Sequence, residues 1–270
     1  MASKWESLAR KLKSQIDTGE YRPGERLPTV SAMVAAGEGS ITTVQRAYAE
    51  LETDGYVVMR RRGGTVVRDR RVIRIPLSRY TKVIEPGGTK GPWETATAEQ
   101  GLDGRMVVPS PAAETLDAPA DVATSLELPS GARVVRRRRH ATIGDEVVQL
   151  QEAWYPLELA EQAGLDKPTK VVGGVLGAMT GAGLEPTEAD ERIRAWVPSP
   201  EEAAGLTMGN RVPVLAVERI TRDDTGRPLE LLRIVGAADR LELVYDGLPL
   251  KKRRRPARRR PAPEAGDSSP

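Results

Sequence analysis

Apolar residues recur at spacings of three and four from the start of the chain. Trp5, Leu8, Leu12 and Ile16 share one side of a helix, the period of an amphipathic helix that buries one stripe. This helix is expected from about Trp5 to Ile16, ending at Gly19 and the turn Arg22-Pro23-Gly24. Leu27-Pro28 and a short helical run to Ala36 follow. Ser40 then opens a third helix, because its hydroxyl can accept from the free N–H groups of a first turn. Val44, Ala47, Tyr48 and Leu51 form the buried stripe of that helix, and Asp54-Gly55 ends it. A strand, the turn Arg60-Arg61-Arg62-Gly63-Gly64 and the strand Thr65-Val66-Val67 complete a first unit, residues 1–68. Gly63-Gly64 permits a tight turn with positive φ.

The pattern changes after an extended connection at 69–76. In a second unit, 77–248, strands are expected at 133–142, 147–154, 189–197, 212–221 and 228–234. Helices fit 92–100, 119–126, 158–162, 173–182 and 200–206. Neighbouring strands joined at Gly144-Asp145 and at Asp223-Asp224-Thr225-Gly226 imply an antiparallel sheet with helices against it. The fold class is therefore α+β. Residues 249–270 are rich in Lys, Arg and Pro and offer no face to bury, so they are expected to form a disordered basic tail.

The length of 270 residues suits two separate cores. With no cysteine and a single histidine, His140, no metal site or cofactor is expected. No apolar run approaches a membrane span, so the chain reads as soluble and cytoplasmic, with no membrane partner. The net charge of +3 is unevenly spread: +5 over residues 1–75, −8 over 76–248 and +6 over 249–270. Basic ends on an acidic middle imply that the ends approach a polyanion.

Two features carry candidate chemistry. Ile41, Thr42, Gln45 and Arg46 lie opposite the buried stripe of the third helix, at its N-terminal end. Gln pairs with adenine, Thr and Ile touch the thymine methyl, and Arg reaches guanine or phosphate. Ser40 and Thr43 suit phosphate oxygens, and Arg60, Arg61 and Arg62 with Gly63 and Gly64 suit a wing facing phosphates or the minor groove. The second feature is Arg136-Arg137-Arg138-Arg139. On a strand, one alternating pair faces a pocket or both protect an edge. No phosphate loop, nucleophile elbow or metal-ligand cluster is present in the second unit.

The stretch from Gly19 to Thr29, with Ser40 to Val44, Tyr48 to Gly55 and Gly64-Thr65, closely resembles the DNA-binding head of the GntR family of bacterial transcription regulators. The resemblance implies a winged helix-turn-helix and adds Arg26, Thr29 and Ser31 to the DNA contacts. Two positions that are often arginine in the family are Ser31 and Ile41 here. The second unit is similar in its order of elements to the UTRA ligand-sensing domain of the HutC branch, which shares the fold of chorismate lyase. The matching stretches include Leu128 to Gly131, Val147 to Pro156, Pro198 to Ala203 and Asp224 to Glu230. That resemblance implies effector contacts from Arg137, Arg139, Gln151 and Glu230. The expected protein is a dimeric, ligand-responsive repressor on a palindromic double-stranded DNA site, with an effector of unknown identity. The alternatives are a chorismate-lyase-type enzyme on a DNA anchor and an architectural DNA binder without effector.

Overall fold

The computed structural model describes residues 3–60, 63–76, 91–171 and 173–245. Three helices open the chain: α1 (Lys4–Asp17), α2 (Val30–Ala35) and α3 (Ile41–Thr53). Ser3 caps α1 in a reciprocal box with Glu6, which satisfies two free backbone donors at once. Leu8, Leu12 and Ile16 of α1 pack with Val44, Tyr48 and Leu51 of α3 in one core. The hairpin of β1 (Val57–Arg60) and β2 (Gly64–Val67) closes that core with Val57 and Val67. Trp5, expected on the apolar stripe of α1, is not part of that buried core.

The connection at 69–76 is not only a linker: its end forms β3 (Ile73–Pro76), which pairs in parallel with β11 (Leu241–Val244). The second unit continues through α4 (Pro92–Ala98), β4 (Gly104–Val107), β5 (Ala113–Asp117), α5 (Ala120–Ser125), β6 (Arg133–Ile143) and β7 (Glu146–Pro156). Then come α6 (Leu157–Gln162), α7 (Gly174–Gly181), β8 (Glu188–Trp196), α8 (Pro200–Gly205), β9 (Val214–Arg222) and β10 (Pro228–Ala237). Seven of these strands make an antiparallel sheet in the order β4-β6-β7-β10-β9-β8, with β5 also on β6. Side chains alternate across the sheet. One face packs under α6 and α7 through Val135, Tyr155, Leu159, Val175 and Met179. The other takes α5 through Val122, Leu126, Trp154 and Leu231. At the far edge, β8 is exposed along nearly its whole length among the described residues.

The two units touch where α3 ends. Gly55, at φ +73°, terminates the helix in the left-handed region that suits glycine. The backbone of Gly209 lies so close that an added Cβ would stand 2.3 Å from the carbonyl oxygens of Glu52 and Thr53. The Arg211 N–H donates to the Thr53 carbonyl (3.1 Å). Its guanidinium reaches Glu50 (2.7 Å) and Asp54 (3.1 Å). Nearby, buried Arg68 pairs with Asp239 at 2.5 Å.

Candidate nucleic-acid interface and cavity

Helix α3 presents two unlike sides. Val44, Ala47, Tyr48 and Leu51 are buried, while Ile41, Thr42, Gln45 and Arg46 are exposed. Ile41 is 59% exposed at the first helical position, unusual for a large apolar side chain and suited to meeting a methyl group outside the protein. Ser40 caps the helix by accepting from the Thr43 N–H (3.2 Å), and the two hydroxyls lie 2.9 Å apart. Gly39 sits at φ +152°, where a Cβ would come within 2.8 Å of the Thr43 methyl. The Tyr48 hydroxyl donates to the Pro28 carbonyl (2.6 Å), which fixes the angle between α3 and the turn before α2. Burial pushes that phenol up to about 12. On α2, Thr29 caps the helix and its hydroxyl lies 3.0 Å from that of Ser31.

In the wing, Arg60 pairs with Gly64 across the hairpin, and the Gly63 N–H donates to the Arg60 carbonyl (3.1 Å). Arg61 and Arg62 lie outside the described residues. Arg26 bridges to Val66 of β2 through backbone, which ties it to the wing. Cations in and next to the head have acid partners: Lys11 meets Glu38 (2.6 Å), Lys13 meets Asp54, and Arg70 of the connection meets Asp17 (2.7 Å). Arg26, Arg46 and Arg60 are exposed and make no ion pair among the described residues. The basic tail, 249–270, lies outside them too.

The second site is a cavity between the sheet and α4 and α7, with about 120 Å³ of space. The arginine run resolves by parity. Arg136 and Arg138 point away from the cavity, Arg136 pairing with Glu114 and Glu152, while Arg137 and Arg139 line it. Arg137 is consumed by structure: its guanidinium donates to the carbonyls of Leu165 (2.6 Å), Lys167 (2.7 Å) and Thr169 (2.6 Å). Burial holds that guanidinium below its usual range. Glu230 is likewise engaged, accepting from Tyr155 (2.7 Å), Arg219 (2.5 Å) and Thr221 (3.3 Å). Burial alone would raise its carboxyl, but the positive Arg219 and Arg139 outweigh that and hold it below the usual carboxylate range. Gln151 donates to the side-chain oxygen of Gln149 (2.9 Å). Arg139 differs from these. Its Nε is buried with no hydrogen-bond partner among the described residues.

Sequence reading missed Gln149, Arg219 and Trp93 as cavity residues, whereas Val175 and Leu176 of α7 lie at positions where the family resemblance places effector contacts. Gln149 and Arg219 were within reach of the two-residue strand period, since Gln149 precedes Gln151 by two and Arg219 lies on an expected strand. Trp93 arrives only through tertiary packing. Among the described residues, no group of three or more His, Cys, Asp or Glu side chains could hold a metal ion, and no helix is long and apolar enough to cross a membrane.

A winged helix-turn-helix with an exposed polar recognition face, joined to a cavity-bearing α+β unit, defines a DNA-binding transcription regulator. The comparisons with known proteins agree. The model for bacterial regulatory proteins of the gntR family matches residues 4–67, and that for the UTRA domain matches 112–242. An HTH-type transcriptional regulator of Streptomyces coelicolor is 36% identical over 249 residues, 91% of this chain and 93% of the relative. One from Rhizobium meliloti is 24% identical over 242 residues, 88% and 93% of the two chains. The crystal structure of PhnF from Mycobacterium smegmatis superimposes with a TM-score of 0.56 at 25% identity, covering 88% of this chain and 97% of that one. The chain belongs to the GntR family and carries a UTRA domain.

Proposed function

We propose that this regulator is a dimeric, ligand-responsive repressor that reads a palindromic operator with α3 and the wing. The observation that carries the DNA contacts is the exposed face Ile41, Thr42, Gln45 and Arg46, flanked by Arg26 and Arg60; Arg26, Arg46 and Arg60 make no ion pair among the described residues. Uncompensated cations beside a protruding helix face are suited to phosphates, while Ile41, Thr42 and Gln45 supply base-edge contacts. Ser40 and Thr43 lie at the free N–H end of α3, where phosphate oxygens are favoured. Thr29 and Ser31 add hydroxyls from α2. Arg61, Arg62, Gly63 and Gly64 complete the wing in this reading.

The effector site is the cavity. There Arg139 and Gln151 touch the ligand, whereas Arg137 and Glu230 hold the floor in shape. The protein acts by binding and not by catalysis, in the cytoplasm. Dimerisation is assigned to β8. Its N-terminal half carries Glu188, Asp190 and Glu191, and its C-terminal half Arg192 and Arg194, so an antiparallel second copy sets acid against base. Exposed Ile193, Trp196 and Val197 supply apolar area on the same edge.

Selection of bound fragments from the host genome, followed by footprinting, tests the operator reading. A discrete protected palindrome is the expected result, and uniform protection along the fragments counts against it. Incubation with chorismate is expected to yield no 4-hydroxybenzoate; its appearance would overturn the non-enzymatic assignment.

A further inference from the structure

We propose that the cavity takes a small amphipathic monocarboxylate, its acid group on Arg139 and its apolar body against α7 and the sheet. The inference rests on the reading of this cavity as the effector site and adds the chemical class. It begins from charge balance. Of the guanidiniums that line the cavity, Arg219 is paired with Glu230, and Arg137 is satisfied by three carbonyls and lies near Asp166. Lys170 faces Glu94 at 3.8 Å. Arg139 alone among these cavity cations has neither an ion pair nor a side-chain hydrogen bond among the described residues, and its Nε is buried.

Arg139 is half-buried with its Nε shut off from water, and the acid whose field it feels, Glu230, is bonded to Arg219; one carboxylate for two guanidiniums leaves a positive charge that a ligand anion would offset. One unmatched positive charge calls for one negative charge. A carboxylate meets the guanidinium fork through two parallel hydrogen bonds, whereas a phosphate monoester carries nearly two charges and would leave one unmatched. Gln149 and Gln151, neighbours on the next strand, offer neutral amide groups beside the acid. The remaining wall is apolar, with Val175 and Leu176 of α7 facing Val217 and Ile234 of the sheet. This wall offers nothing to the hydroxyls of a sugar. The cavity's 120 Å³ is near the size that holds one benzene ring, so the body is about that of a six-membered ring or a short alkyl chain.

The test is calorimetric titration of the full-length protein with phenylacetate, hexanoate, 2-phenylethanol and phenyl phosphate. At least one of the two acids is expected to bind, and 2-phenylethanol to bind about tenfold or more weakly than phenylacetate. Arg139→Met is expected to erase that acid-over-alcohol preference, and Arg139→Lys to keep part of it. A purely structural role for Arg139 would lower the melting temperature and leave the preference intact. If Arg139→Met does not fold, Arg139→Lys carries the comparison. The proposal is overturned if neither acid binds, if acid and alcohol bind equally, or if phenyl phosphate binds more tightly than both acids. The same probes are then added to a DNA-binding assay on the selected genomic fragments. An acid that binds through Arg139 without changing DNA affinity overturns the effector reading and leaves the ligand class standing. A neutral or phosphorylated probe that shifts DNA affinity while the acids do not bind overturns the class and leaves the effector reading standing.

Discussion

Gln45 and Arg60 occupy similar exposure but different chemical positions. Gln45 stands on the outward face of α3 with an amide able to pair two ways with adenine, whereas Arg60 lies in the wing with a charge that makes no ion pair among the described residues. Their alanine variants are therefore expected to differ in kind. Gln45→Ala should relax sequence preference at one base pair, at a cost of about 1–3 kcal/mol. Arg60→Ala should weaken all sequences alike and reduce the slope of log affinity against log salt by about 1. Competition binding to single-base operator variants, repeated across a salt series, separates the two. Equal losses on every sequence for Gln45→Ala would remove it from base reading.

The arginine run shows how much of the second site was legible at this scale. Strand alternation required that either Arg137 and Arg139 or Arg136 and Arg138 face inward, but nothing local chose between them. The choice depends on partners far along the chain. Glu114 and Glu152 wait on one face, and the carbonyls of 165–169 on the other. Arg137 and Glu230, both expected at the effector, turned out to have their hydrogen-bonding capacity committed to protein groups, which no pattern in their own segments reveals.

At the scale of elements, long strands and capped helices were readable and short paired strands were not. The strand expected at 133–142 runs as β6, Arg133–Ile143, because its alternation is sustained over many residues. Strands β4 and β5 are four and five residues long and show no sustained alternation, so their extended form comes from pairing with β6 and not from their own composition. The segment that became β3 read as a connection for the same reason, since its partner β11 lies far along the chain.

Edge strand β8 yields an expected outcome of its own. Ile193→Glu combined with Trp196→Glu should convert a dimer into a monomer by sedimentation, with the circular dichroism of the fold retained. A dimer of unchanged affinity would place the subunit contact elsewhere.

The contacts between the head and the second unit can be ranked by magnitude. The ion pairs of Arg211 are largely exposed, and pairs of that kind contribute roughly 0–1 kcal/mol. The Gly209 contact is backbone on backbone and has no flexible side chain to give way. Gly209→Ala is therefore expected to separate the head from the second unit, whereas Arg211→Ala should scarcely matter. Limited proteolysis near residues 69–72 and the number of calorimetric transitions report the result; one unchanged transition in Gly209→Ala would refute it. Acidity adds a smaller effect. Burial alone would raise the Asp54 carboxyl, but hydrogen bonds from Lys13 and Arg211 hold it below its usual range. Its contribution is present at neutral pH and lost as pH falls through that lowered value.

For the whole molecule, charge is arranged so that the acidic second unit separates two basic ends. Deleting residues 251–270 is expected to leave operator preference intact and to lower affinity at low salt, with the loss shrinking as salt rises. Unchanged affinity across the titration would show that the tail does not meet DNA.

The seat of Gly209 against the last turn of α3 has a further consequence, because one short stretch of backbone then belongs to both halves of the protein. A molecule bound in the cavity that alters this seat by some factor in DNA affinity must itself be held more or less tightly by the same factor once DNA is bound. If the proposed effector acts through this seat, DNA binding would change the affinity of the cavity in the same proportion, and the ligand retained would depend on how much DNA is bound.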